Sequence, residues 1–234
     1  MGNPRGVRPQ RAALADLPSL KPQPTAAERA AEVIRDGIFE GRFMPGTPLP
    51  ETDLADALGI SRNTVREAFR TLQAEHLLDY EVNKGVSVRR LTPADAADIY
   101  RIREILELSS LDLITSTPAE LDTALLTAAV AEGRHAADNG DWVAVGTANL
   151  RFHAQIVALQ GSPRLDEFFQ RVMTEMRLGF LAVADPRSLH EPYLDLNGRI
   201  CAAVCAGQLA EAREMLRHYL HTARGEIVAA VTPA

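Results

Sequence analysis

Cysteine is scarce in this chain, with only Cys201 and Cys205, and no apolar run approaches the ~20 residues of a bilayer-spanning helix. The two cysteines lie one helical turn apart in the apolar segment CAAVC, which reads as small hydrophobes on a buried helix face rather than a redox or metal pair. The N-terminal region lacks a signal-peptide h-region, so a cytoplasmic protein with no membrane partner is expected. Enzyme fingerprints are missing as well: there is no G-x-G-x-x-G, no Walker loop, no competent metal set, and no credible nucleophile–base pair. A surplus of positive charge is also absent. The net charge is −6, and residues 26–91 hold nine Lys and Arg against eleven Asp and Glu, a balance of −2. Any nucleic-acid contact must then work through local patches and fall steeply with salt.

Such a patch is present. Residues 54–72, LADALGISRNTVREAFRTL, read as two short helices joined at Gly59, which takes a positive φ at little cost, and Ser61, whose hydroxyl can cap the second helix. At about 100° per residue, Arg62, Arg66 and Arg70 advance only about 40° each, while Val65, Ala68, Phe69 and Leu72 form a neighbouring apolar stripe. The second helix can sit on a core and present a cationic edge. In a helix-turn-helix its N-terminal residues reach base edges, which makes Ser61, Arg62, Asn63, Thr64 and Arg66 candidate readers and Arg70 a phosphate contact. A hairpin around Asn83-Lys84-Gly85 follows, a wing whose tip residues Lys84 and Gly85 could approach DNA backbone. Upstream, Thr25 and Glu28 have capping-box spacing at the start of an amphipathic segment from about Ala26 to Glu40.

The run from Ile38 to Leu91 resembles the winged helix-turn-helix of the GntR family of bacterial transcription regulators. The likeness rests on the G-x-x-x-P-G turn, the LADALGISRNTVREA unit and the NKGVSV wing, in order and with family spacing. It implies that Arg62 and Arg66 contact DNA, with Ser61, Asn63 and Gly85 beside them. Thr52 stands where some members carry an arginine.

From Thr92 onward the pattern turns helical throughout. Thr92-Pro93-Ala94-Asp95 launches a helix to about Thr115, and others are expected near 118–138, 141–160, 162–183, 188–206 and 208–229, one of them cut or kinked if Gly146 interrupts it. The expected fold is mostly α: a 1–24 arm, a winged helix-turn-helix over 25–91, and an all-α antiparallel bundle over 92–230. YRIREILELSS, NLRFHAQIVALQGSPRL and ICAAVCAGQLAEAREML resemble segments of the FCD domain, the helical effector domain of the FadR subfamily.

That resemblance implies a site inside the bundle. Where the family commonly sets an Asp and three His around a metal, this chain has Asn149, His153, Asn197 and Tyr219. Such a set offers a divalent ion one good donor, and neither His218 nor His221 enters the same cavity in this register. No cofactor is therefore expected. The four residues instead suggest a neutral hydrogen-bonding pocket, with Arg103 as anchor for a ligand carboxylate. The functional expectation is a ligand-responsive repressor that binds a pseudo-palindromic operator as a homodimer, with a small organic acid as effector. The alternatives are a helical-bundle interaction protein, or a metal-binding regulator without a small-molecule effector.

Overall fold

The structure is a computed structural model that describes residues 23–114 and 121–232. Almost all of the expected 1–24 arm, and the expected helix boundaries at Thr115 and Pro118, lie outside those residues.

Among the described residues, nine helices and one hairpin follow in order: α1 (Ala26–Phe39), α2 (Glu51–Leu58), α3 (Arg62–Ala74), β1 (Leu78–Glu81), β2 (Gly85–Val88), α4 (Pro93–Leu113), α5 (Ala124–Asp138), α6 (Trp142–Ala158), α7 (Pro163–Leu181), α8 (Pro186–Cys205) and α9 (Leu209–Ala230). The N-terminal signals act as anticipated. Thr25 and Glu28 form a reciprocal capping box that opens α1, and Gly59 ends α2 in the left-handed region at φ 64°. Ser61 Oγ accepts from the Thr64 backbone N–H and opens α3. On α3, Val65, Ala68, Phe69 and Leu72 are buried against Ala31, Ile34 and Ile38 of α1, leaving the arginine edge in solvent. The antiparallel wing pairs Leu78 with Val88 and Glu81 with Gly85, and Asn83 and Gly85 both take positive φ in its turn.

Arg89 joins the two halves: it donates to Asp95 Oδ1, at the start of α4, at 2.8 Å, and lies 3.0 Å from His76 Nδ1 after α3. Thr92 and Asp95 cap α4, the central helix of the bundle, which packs on α9 and α6. Apolar burial runs without a break from α1 and α3 into the bundle.

Four expectations need correction. The helix placed at 118–138 begins only at Ala124, where Asp122 Oδ1 accepts the Ala124 N–H; Leu121–Thr123 stay outside it. The helix placed at 188 starts two residues earlier, because Asp185 caps it and Pro186 supplies a first-turn residue that needs no backbone donor. Gly146 does not cut α6, which runs on through it; its missing side chain makes room for neighbours. CAAVC is also divided, with Cys201 buried and Cys205 exposed beside Thr123 Oγ1 at 3.3 Å.

Candidate DNA-reading surface and buried polar site

Arg62, Arg66 and Arg70 are all exposed on α3, as are Ser61 and Asn63, with Thr64 half-buried. A groove of about 320 Å³ opens between the start of α3 and the wing, and Arg62, Thr52, Tyr80, Lys84 and Gly85 line it. The reading helix and the wing therefore border one concave surface. Several groups on it already have partners. Arg66 Nε donates to Glu51 Oε2 at 2.8 Å, Lys84 pairs with Glu81, and Asn63 Nδ2 donates to Glu67 Oε1 at 3.1 Å. The Ser61 and Thr64 hydroxyls bond to each other at 2.8 Å, so their first task is to start the helix. Arg62 and Arg70 make no ion pair among the described residues. Two groove residues escaped the sequence reading: Glu51, which holds Arg66, and Tyr80, exposed on the wing. Alternation along LDYE gave no signal for the latter, because Leu78 and Tyr80 stand two residues apart in one strand and yet Leu78 is buried and Tyr80 exposed.

The bundle holds the second set. Arg103 is completely buried, and its Nε donates to Glu107 Oε1 at 2.8 Å, one turn along α4. Glu107 Oε2 lies 2.6 Å from His153 Nδ1 on α6. The His153 ring packs edge-on against Tyr219 at 4.7 Å, and Tyr219 Oη accepts from Asn149 Nδ2 at 2.7 Å. Four of the five expected residues thus form one chain through Glu107, while Asn197 joins it at the edge. Asn197 and Asn149 line a small enclosed space with His190. Glu107 was missed, although its i, i+4 spacing from Arg103 on a helix marked it as a partner.

The electrostatics follow from this packing. Burial raises the pKa of the Glu107 carboxyl, but Arg103 and His153 outweigh burial and hold it below the usual range. Burial, with Arg103 adding to it, pushes His153 down against the pull of Glu107. The imidazole is then neutral, its Nδ1–H donating to Glu107 and its Nε2 left as an acceptor. Arg103 stays charged because Glu107 overcomes its desolvation. The site is therefore a buried Arg103–Glu107 ion pair to which the uncharged His153 imidazole donates, with Asn149, Asn197 and the protonated Tyr219 around it. Several of its polar atoms are buried with no protein partner: both terminal nitrogens of Arg103, His153 Nε2, Asn149 Oδ1 and Asn197 Oδ1.

A divalent metal does not fit this set. His153 supplies one imidazole lone pair, both Glu107 oxygens are engaged, and burial keeps the Tyr219 phenol protonated by raising its pKa. No three His, Cys, Asp or Glu side chains converge as a metal cluster among the described residues. The register also stands, since Tyr219 is buried in the site whereas His218 and His221 are exposed.

His190 carries a pH prediction. Burial first, then the nearby Arg177, lowers its pKa to about 4 from an ordinary 6.5. Between those values the unfolded chain binds a proton that the folded chain refuses, so stability falls as pH drops through that window. The expected loss is about 2 kcal/mol between pH 7 and pH 5. Urea unfolding at both pH values should show it, and His190→Asn should reduce the difference by about that amount; an unchanged difference would count against it.

The comparisons with known proteins agree with this geometry. Residues 26–88 match the family described as bacterial regulatory proteins, gntR family, and residues 98–222 match the FCD domain. The uncharacterized HTH-type transcriptional regulator YdhC of Bacillus subtilis strain 168 is 32% identical over 136 residues, 58% of this chain and 61% of that protein. An uncharacterized HTH-type regulator from an unstable DNA locus of Streptomyces ambofaciens is 30% identical over 203 residues, covering 83% and 81%. Among solved structures, one described as a GntR transcriptional regulator from Rhodococcus sp. RHA1 superposes with a TM-score of 0.83 at 37% identity, covering 87% of this chain and 98% of that one. No helix among the described residues is long and apolar enough to cross a membrane. With a grooved reading helix and wing at one end and a helical FCD bundle at the other, the chain belongs to the GntR family of DNA-binding transcriptional regulators.

Proposed function

We propose that the protein is a homodimeric, effector-responsive repressor acting in the cytoplasm, with residues 25–91 reading a pseudo-palindromic operator and residues 92–230 binding a small organic acid. Ser61, Arg62, Asn63, Thr64 and Arg66 are assigned to base edges and their immediate support, and Arg70, Lys84 and Gly85 to backbone contacts. Arg103, Asn149, His153, Asn197 and Tyr219 are assigned to the effector. Two relatives support the direction of control by name, the probable D-xylose utilization operon transcriptional repressor of Paenarthrobacter nicotinovorans and the galactonate operon transcriptional repressor of Escherichia coli.

The observation that carries the effector assignment is the concentration of unpartnered buried polar atoms on those residues. Groups buried without partners cost free energy, and a ligand with a carboxylate and hydroxyls would complete them. The enclosed space beside Asn149 and Asn197 is about 10 Å³, enough for roughly one water. An acid larger than that must part α4, α6, α8 and α9 as it binds. This is how the ligand gains a preference for one bundle geometry, and a preference of about 1.4 kcal/mol changes operator affinity tenfold.

The test combines sedimentation, a thermal-shift screen of small hydroxy acids and sugar acids, and mobility shift on an operator selected from random duplexes. A mass near twice 25.5 kDa, a hit that raises Tm, and release of DNA by the same hit are expected. A monomer, or a screen in which no acid alters either Tm or DNA retention, contradicts the proposal.

A further inference from the structure

A second fully buried guanidinium lies outside the Arg103 site. Arg177 on α7 is 1% exposed and, unlike Arg103, makes no ion pair among the described residues. Its Nη2 donates to the Val143 carbonyl oxygen at 3.1 Å, and its Nε is buried with no acceptor. Asp141, the acidic group that acts on it, spends Oδ1 capping α6 through the Ala144 N–H. A buried charge without a counterion is costly, and an exchangeable counterion would remove that cost.

The surroundings are shaped for one. Gly146 lies beside both Arg177 and His190: a Cβ there would fall 2.8 Å from Arg177 Nη1 and 2.6 Å from His190 Nε2. Glycine is what lets the guanidinium and the imidazole converge. They border a cavity of about 80 Å³ whose walls include Trp142, Phe180 and Leu181. Gly41 and Met44, which belong to the DNA-reading unit, close its other side. The contact between units is close, since a Cβ on Gly41 would lie 3.2 Å from Leu181 and 3.8 Å from Arg177 Nη2.

We propose that this junction binds a short aliphatic monocarboxylate, its carboxylate taken by Arg177 and His190 and its tail lying against Trp142, Phe180 and Leu181. Each part of the site selects for that chemistry. The guanidinium edge offers a planar pair of donors that matches a carboxylate, and the neutral imidazole has one N–H to add. The remaining wall is apolar, and the volume admits only a few non-hydrogen atoms. An occupant would touch both the reading unit and the bundle, so its binding energy depends on how the two are placed. This site adjoins the effector site, with His190 bordering both, but it is built on a different guanidinium and a different cavity.

Trp142 is the chain's single tryptophan, so its fluorescence reports on this cavity. The experiment titrates the full chain with propionate, with propionamide and chloride as uncharged and inorganic controls, in the parent protein, Arg177→Gln and Arg177→Lys. A saturable propionate response is expected, weakened at least tenfold in Arg177→Gln, intermediate in Arg177→Lys, and absent with both controls. Arg177→Gln removes a buried charge that lacks a counterion while keeping an amide donor, and circular dichroism of each variant checks that the fold is retained. The proposal is overturned if propionate gives no saturable response, if propionamide or chloride reproduces it, if Arg177→Gln titrates like the parent, as it would were the acid bound only at Arg103, or if Arg177→Lys binds no better than Arg177→Gln.

Discussion

Replacing Arg62 and Arg66 together by alanine should lower operator affinity by roughly 100-fold or more, with each single change costing about tenfold, while Tm and oligomeric mass stay at parental values. Both side chains are exposed, and neither contributes to the apolar contact between α1 and α3. The competing interaction is Arg66 with Glu51, whose side chains are 54% and 31% exposed. Exposed ion pairs contribute about 0–1 kcal/mol, whereas a bidentate arginine–guanine contact discriminates by about 1–3 kcal/mol, so DNA wins the exchange. Arg70→Ala should behave differently: a loss similar for all sequences and a salt slope smaller by about one, as for a phosphate contact. Fluorescence anisotropy on a selected operator, repeated across salt concentrations, separates the two behaviours. Retained affinity in the double variant would remove α3 as the reading element.

The second large effect lies in the bundle. Glu107→Leu should destabilise the protein by about 3–5 kcal/mol, a fall in Tm of about 10 °C for a chain of this size. The carboxylate is completely buried and serves two partners at once, Arg103 Nε at 2.8 Å and His153 Nδ1 at 2.6 Å. Without it the guanidinium is left as an uncompensated charge in the core, beside the Tyr100 ring at 4.8 Å. The loss comes from that stranded charge rather than from the worth of the pair itself, because desolvation offsets much of an ion pair's attraction. The double change Arg103→Met with Glu107→Leu should therefore recover a large part of the stability while abolishing the effector response. Differential scanning calorimetry of the three proteins decides the matter. If the single and double variants melt together, Arg103 does not depend on Glu107.

The contrast between these two sites explains why one was readable along the chain and the other only partly so. Gly59, Ser61 and the arginines of α3 act within a few residues of one another: a turn, a cap, and a 40° drift around one helix. Such features depend on backbone sterics and helical periodicity, which short stretches of sequence carry in full. The wing turn at Asn83 and Gly85 is of the same kind. The polar site was legible as a set of positions, through its resemblance to a family, but not as chemistry. His153 meets Glu107 across 46 residues and Asn149 meets Tyr219 across 70. The i, i+4 spacing from Arg103 offered Glu107 as a partner, but nothing local showed that it, unlike the exposed acids of α4, is buried. Its burial, the depressed His153 and the near-closure of the cavity arise only when α4, α6 and α9 pack together and exclude water. Gly146 is a further example: as a lone glycine in a helix it suggested a break, whereas the assembled bundle uses the missing Cβ to seat Arg177 and His190. Local sterics and periodicity were enough for most of the elements and for the arginine edge of α3, and the family was legible through the resemblance of its motifs. Which charges are buried, paired or left without a counterion was decided by tertiary packing, because desolvation depends on neighbours far away in the chain.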